Sequence, residues 1–133
     1  MTEYEYDLIV VGAGPAGSSA AYAAAKNGIK VALLEKEESV AQTVRTSGVT
    51  WIDYAKEFGI PEDCYNPIKT YNFCSPNNKA SISDEKAKAA VLDVRKTYRF
   101  LAEQAKNNGA EIFVNTNVTE VITEDEKVVG VRA

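Results

Sequence analysis

Tyr6-Asp7-Leu8-Ile9-Val10-Val11-Gly12-Ala13-Gly14-Pro15-Ala16-Gly17 is the stretch on which the fold of this chain turns. Tyr6 to Val11 is a short, β-branched apolar run of the kind buried in a parallel sheet. Glycines follow without a spacer in a G-x-G-x-x-G pattern, and the next turns are nearly all small: Ser18, Ser19, Ala20, Ala21, Ala23, Ala24 and Ala25. Side chains of that size let a helix lie close against a sheet. Gly28 ends the helix, Ile29 to Leu34 reads as a second apolar strand, and Glu35 stands at that strand's C-terminal end.

Each part of this strand–loop–helix–strand unit has a physical job in holding a dinucleotide. Gly12 allows the tight turn out of the strand, Gly14 removes a side chain where a pyrophosphate must approach the backbone, and Gly17 lets the helix pack against the strand. Ala13, Pro15 and Ala16 complete the loop. The helix N-terminus presents free N–H groups and a partial positive charge to phosphates. Glu35 can accept hydrogen bonds from a ribose diol, and its charge would repel a 2′-phosphate. Lys36, directly after the acid, joins the candidate cofactor contacts. The fold class is therefore α/β, a Rossmann-like FAD- or NAD(P)-binding domain built on a parallel sheet.

By length the 133 residues are one domain, spanning 1–133, and the hydrophobic and charged fractions are those of a soluble globular protein. A net charge of −4 without a basic stripe argues against a nucleic-acid partner. No apolar run approaches the roughly 20 residues of a membrane span, and no signal peptide precedes the first strand, so a cytoplasmic location is expected, with peripheral membrane contact left open. Cys64 and Cys74 are too few and too irregularly spaced for a metal site or a disulfide framework. The chain contains no histidine, so no imidazole base, His–metal site or Ser-His-Asp triad operates within it, and any hard chemistry must come from a bound cofactor. No catalytic residue is assigned.

Further along, Val40 to Val49 reads as a loop, and Trp51 to Phe58 as a short helix stopped by Gly59 and Pro61, with Asp53 and Lys56 facing outward. Ile60 to Pro67 is a turn-rich connection. Lys69–Cys74 and Lys79–Ser83 flank the turn signal Ser75-Pro76-Asn77-Asn78 and form a hairpin inserted apart from the parallel sheet, the insertion covering about residues 60–85. Asp93 to Asn107 is a second long helix with an apolar stripe of Val94, Tyr98, Leu101, Ala102 and Ala105, ended by Asn107-Asn108-Gly109. Ala110 to Val114 follows as a third buried parallel strand. Val118–Ile122 and Val128–Arg132 are a C-terminal antiparallel pair joined by an acidic turn. The strand pattern is still running at Ala133, as expected of an excised part of a longer protein, or of a short one that completes its sheet with a partner. An open sheet edge leaves a homo-oligomer possible.

The opening Tyr6-to-Ala20 segment resembles the N-terminal FAD-binding part of the geranylgeranyl reductase family, one of the p-hydroxybenzoate-hydroxylase-like flavoproteins, and the chain is most similar to archaeal members. The resemblance covers essentially the whole chain but only the first third of a full family member. Val44-Arg45 resembles the segment where the family places an arginine near the flavin. The family's following cysteine and glycine are replaced by Thr46-Ser47-Gly48, so no thiol is implied beside the flavin. Val91 to Ala102 resembles the family's Arg-x-x-Phe-Asp-x-x-Leu signature. Aligned on Leu101-Ala102, the arginine position falls on Val94 and the Phe-Asp pair on Thr97-Tyr98. Arg95, one residue displaced, is the candidate to reach the cofactor from the first helical turn.

The resemblance implies FAD as cofactor, with its adenosine end on Glu35 and its pyrophosphate on the Gly12–Gly17 loop. It also implies reduction of isoprenoid double bonds of a lipid substrate in a full-length protein, while this part alone should not catalyse the reaction. Other readings stay open at this point: a related FAD monooxygenase, a quinone-linked dehydrogenase, an NAD-binding dehydrogenase half, or a dinucleotide-binding module without catalysis of its own.

Overall fold

The computed structural model describes residues 4–133. Along the chain run β1 (Leu8–Val11), α1 (Pro15–Lys26), β2 (Val31–Leu34), β3 (Val49–Trp51), α2 (Ile52–Glu57), β4 (Tyr65–Ile68), β5 (Thr70–Cys74), β6 (Lys79–Ser83), β7 (Ala89–Leu92), α3 (Val94–Asn107), β8 (Glu111–Phe113), β9 (Glu120–Glu124) and β10 (Lys127–Arg132). They divide into two compact units. One holds the chain up to Val44 together with Tyr98–Ala133, and the other is Arg45–Thr97.

In the first unit β1, β2 and β8 form a parallel sheet in the order β1-β2-β8, with Leu8 opposite Val31 and Leu33 opposite Ile112. Every residue of the central β2 is buried. Val31 and Leu33, two apart and so on one face, pack with Ala21 and Ala25 of α1 and with Ala105 and Ala110. Alanines at these contacts allow the backbone-close packing expected of the small-residue helix. α1 carries Pro15 at its first turn, where the missing N–H costs nothing. Both α1 and α3 end in the same cap: Ile29 N–H donates to the Ala24 carbonyl and Ala110 N–H to the Ala105 carbonyl, with Gly28 and Gly109 in between.

Two expectations need correction here. β1 is not fully buried, since Leu8 and Val11 are exposed and Ile9 and Val10 half-buried. β8 likewise keeps Ile112 and Phe113 only half-buried, with Val114 exposed. Both strands lie at edges of the three-stranded sheet, where only β2 has a neighbour on each side. β9 and β10 form the expected antiparallel pair, turning through Asp125 and Glu126, both in the left-handed region.

The second unit contains more sheet than expected. β7 is the centre of an antiparallel sheet β3-β7-β4, and the β5–β6 hairpin pairs as read, Tyr71 opposite Ile82. The turn-rich connection expected over Ile60–Pro67 instead runs into β4 from Tyr65 onward. Its Pro67 pairs opposite Ala90 and is tolerated because β4 is an edge strand. α2 forms as expected, but of its apolar neighbourhood only Ala55 is buried, while Trp51, Tyr54 and Phe58 are all more than half exposed. Cys64 is a buried free thiol and Cys74 an exposed one.

Asp93 caps α3, its Oδ1 accepting the Lys96 N–H at 3.0 Å. Lys96 Nζ reaches Asp63 Oδ2 at 2.6 Å and the Asp63 carbonyl at 3.0 Å. The hydrogen bond from Lys96 holds the Asp63 carboxyl below its ordinary value. A carboxyl lowered in the folded state adds stability above its unfolded pKa and loses it as pH falls through the folded value. Asp63→Asn should therefore lower the melting temperature slightly at neutral pH, the pair being exposed, and the difference should begin to shrink as pH falls below about 4 and vanish only beneath the lowered folded value. Melting curves of both proteins across pH 2–8 check this; a difference independent of pH would mean the carboxylate charge contributes nothing.

Thr97 is 1% exposed, and its Oγ1 has no partner among the described residues. A buried hydroxyl left unpaired costs about 1–3 kcal/mol. Valine has the same shape and nearly the same helix propensity. Thr97→Val is expected to raise stability by about 1 kcal/mol in urea titrations, and a clear loss would show that the hydroxyl is engaged in solution.

Candidate functional site

The first unit assembles the loop and the acid into one site. The ladder between β1 and β2 runs one residue past Val11, through the Gly12 N–H to the Leu34 carbonyl at 2.7 Å. The chain then turns with Gly12 at φ +96°, a conformation side chains rarely allow. Gly14 is the N-cap of α1, extended at φ −72° and ψ −177°, and no side chain caps the helix start. The first N–H groups of a helix lack intrahelical partners, so the α1 start can receive an anion.

Gly17 faces the turn at close range. A Cβ built there would lie 1.9 Å from the Gly12 carbonyl oxygen and 3.3 Å from Val10 Cγ1. At Gly14, in contrast, a Cβ would meet nothing within 4 Å. One glycine is needed for packing, and the other leaves open space in front of the loop.

Ala13, buried at the centre of the loop, is held at both ends. Its N–H donates to Glu35 Oε2 at 2.9 Å, and its carbonyl accepts from the buried Ser18 hydroxyl at 3.2 Å. Glu35 Oε1 accepts the Glu37 N–H at 3.0 Å. The Glu35 main chain joins β8, its N–H donating to Phe113 O and its carbonyl accepting from Thr116 N, both at 2.8 Å. A carboxylate offers about four acceptor positions, so two amide bonds fix its direction and leave capacity for a ribose diol.

Sequence reasoning placed Glu35 at the ribose but missed its bond to Ala13 and the part played by Ser18. Ser18 carried a signal, as the first hydroxyl in an otherwise alanine-rich helix on its packed face. Lys36 is exposed beside Glu35. Arg45 and Arg95 are exposed residues of the second unit, Arg95 in the first turn of α3, whereas Val94 before it is buried. The structure thus brings together Gly12, Ala13, Gly14, Pro15, Ala16, Gly17 and Glu35. Uncapped amides, open space at Gly14 and an oriented carboxylate fit the ADP half of FAD. Among the described residues no cluster of potential metal ligands occurs, and no helix is long and apolar enough to cross a membrane.

Comparison with known proteins identifies the family. The family model described as FAD dependent oxidoreductase matches residues 7–133. The chain is 39% identical over 115 residues to the digeranylgeranylglycerophospholipid reductase of Methanocaldococcus jannaschii, covering 84% of this chain and 29% of that protein. It is 38% identical over 133 residues to the enzyme of that name from Methanosarcina acetivorans, covering 96% and 33%. Among solved structures, a geranylgeranyl bacteriochlorophyll reductase-like protein from Thermoplasma acidophilum superposes with a TM-score of 0.84 at 31% identity, covering 95% of this chain and 34% of that one. The chain therefore spans about a third of the length of these relatives. The cofactor carried by this fold and family is FAD. A Rossmann-like sheet, a glycine loop clasped by Glu35 and a match across nearly every residue lead to one conclusion: the chain belongs to the FAD dependent oxidoreductase family.

Proposed function

We propose that this chain is the FAD-binding part of an enzyme that reduces isoprenoid carbon–carbon double bonds of a glycerophospholipid. The observation that carries the reading is the glycine loop Gly12–Gly17 clasped by Glu35, in a chain 39% identical to a digeranylgeranylglycerophospholipid reductase. Bound FAD supplies a hydride carrier. The residues of this chain bind and orient: the α1 amides face the pyrophosphate, Gly14 admits it, and Glu35 takes the ribose. Arg45, Arg95 and Lys36 are proposed as further cofactor contacts. A lipid substrate also supports peripheral contact of the whole enzyme with a membrane surface.

A chimera tests the proposal. The corresponding segment of the Methanocaldococcus jannaschii reductase is replaced by this chain, and the lipid product is analysed by mass spectrometry for two added hydrogens per double bond. Hydrogen gain by the flavin-loaded chimera is expected; a chimera that holds FAD but reduces nothing would overturn the reading. At the cofactor level, Glu35→Ala removes charge-assisted hydrogen bonds and is expected to weaken FAD binding by about 1.5–3 kcal/mol. Flavin fluorescence titration measures it, and an unchanged affinity would take the acid away from the ribose.

A further inference from the structure

We infer that Glu37 is a positioning residue for the nucleotide site, holding the Glu35 carboxylate in its ribose-facing orientation through a stapled loop. The inference rests on the nucleotide reading of the Gly12–Gly17 site. Three of its bonds form one relay. The Glu37 N–H donates to Glu35 Oε1 at 3.0 Å, the Glu37 carbonyl accepts the Asn115 N–H at 2.8 Å, and Glu37 Oε2 accepts the Thr43 N–H at 3.0 Å. The glycine loop, the exit from β2, the end of β8 and the segment up to Thr43 are thus joined through the carboxylates of Glu35 and Glu37 and the Glu37 carbonyl.

The loop between Glu37 and Thr43 needs such a staple. Ala41 lies buried in the left-handed region at φ 58°, where a Cβ is disfavoured. Such residues persist where the surroundings over-determine them. Gln42 adds a second closure, its Oε1 accepting the Glu38 N–H at 3.1 Å and its N–H donating to Ser39 O at 3.3 Å. Without the Glu37 carboxylate the loop is freed to relax, its amide leaves Glu35 Oε1, and the Glu35 carboxylate turns about its one remaining tether to Ala13. Ordering that carboxylate again must then be met from ligand binding.

Calorimetric titration with ADP, and with inorganic pyrophosphate, which lacks the ribose, tests this on the whole chain. Glu37→Ala is expected to weaken ADP binding about tenfold while pyrophosphate binding stays level, and Glu37→Gln, which keeps an acceptor for Thr43, to stay within about threefold of the parent. The Thr43 amide should exchange faster in Glu37→Ala. Unchanged ADP affinity, or equal losses for ADP and pyrophosphate, would overturn the role of Glu37. If the parent itself binds no ADP, the nucleotide site falls and this inference with it. Should Glu37→Ala fail to fold, the Thr43 amide of the unsubstituted protein decides by NMR: its chemical shift follows a carboxylate titration if Glu37 holds it, and a flat profile overturns the staple.

Discussion

Gly17→Ala should unfold this protein or leave it at the edge of unfolding, with a loss of about 3 kcal/mol or more. The added methyl carbon would sit 1.9 Å from the Gly12 carbonyl oxygen, and the obstacle is backbone that cannot swing aside. Gly12 is itself fixed, its N–H bonded to Leu34 at 2.7 Å. Relief would require lifting the start of α1 off the sheet. That movement would open the contacts of Ala21 and Ala25 with Val31 and Leu33, the core of the first unit. Against a typical total stability of about 5–15 kcal/mol, such a change is decisive. Urea titration followed by circular dichroism measures it. A midpoint equal to the parent's would mean that α1 does not approach the turn as closely as the structure shows.

The first strand–loop–helix–strand unit was legible because local rules all agree there: apolar period, glycine spacing, small helix residues and a capping glycine. The hairpin was legible for a similar reason, since Ser75-Pro76-Asn77-Asn78 is a turn closed by its own residues, with Ser75 N–H bonded to Asn78 O at 2.8 Å. β3, β4 and β7 were not. Ala89 and Ala90 have little strand preference, Pro67 argues against a strand, and Val49 pairs with Val91 far along the chain. Only tertiary contact among Ala55, Tyr65 and Ala90 makes that sheet worth forming. The site divides in the same way. The glycines and Glu35 announce themselves by spacing, whereas the bond from Ala13 to Glu35 joins an amide to a side chain across 22 residues, and amides carry no sequence signal. Arg45 and Arg95 are indicated by family likeness alone, since neither stands in the glycine pattern or at a strand end where spacing would mark it.

Gly14→Leu should do the opposite of Gly17→Ala, sparing the fold and removing the ligand. At φ −72° and ψ −177° the Gly14 backbone suits any residue, and a Cβ there meets no atom within 4 Å. The stability change should stay within about 1 kcal/mol, the scale of losing a favoured N-cap residue. The open space is the approach to the loop amides and the start of α1, and a leucine side chain fills it. Each charge-assisted hydrogen bond to phosphate is worth about 1.5–3 kcal/mol, so loss of two raises the dissociation constant for FAD at least about a hundredfold. Gly14→Ala, with a single methyl, should fall between the two. Fluorescence titration with FAD beside a melting curve separates the outcomes: Gly14→Leu melts like the parent without flavin, and Gly17→Ala loses both properties. A Gly14→Leu protein that still bound FAD tightly would remove the pyrophosphate from this loop, and the uncapped start of α1 would then have no ligand to explain it.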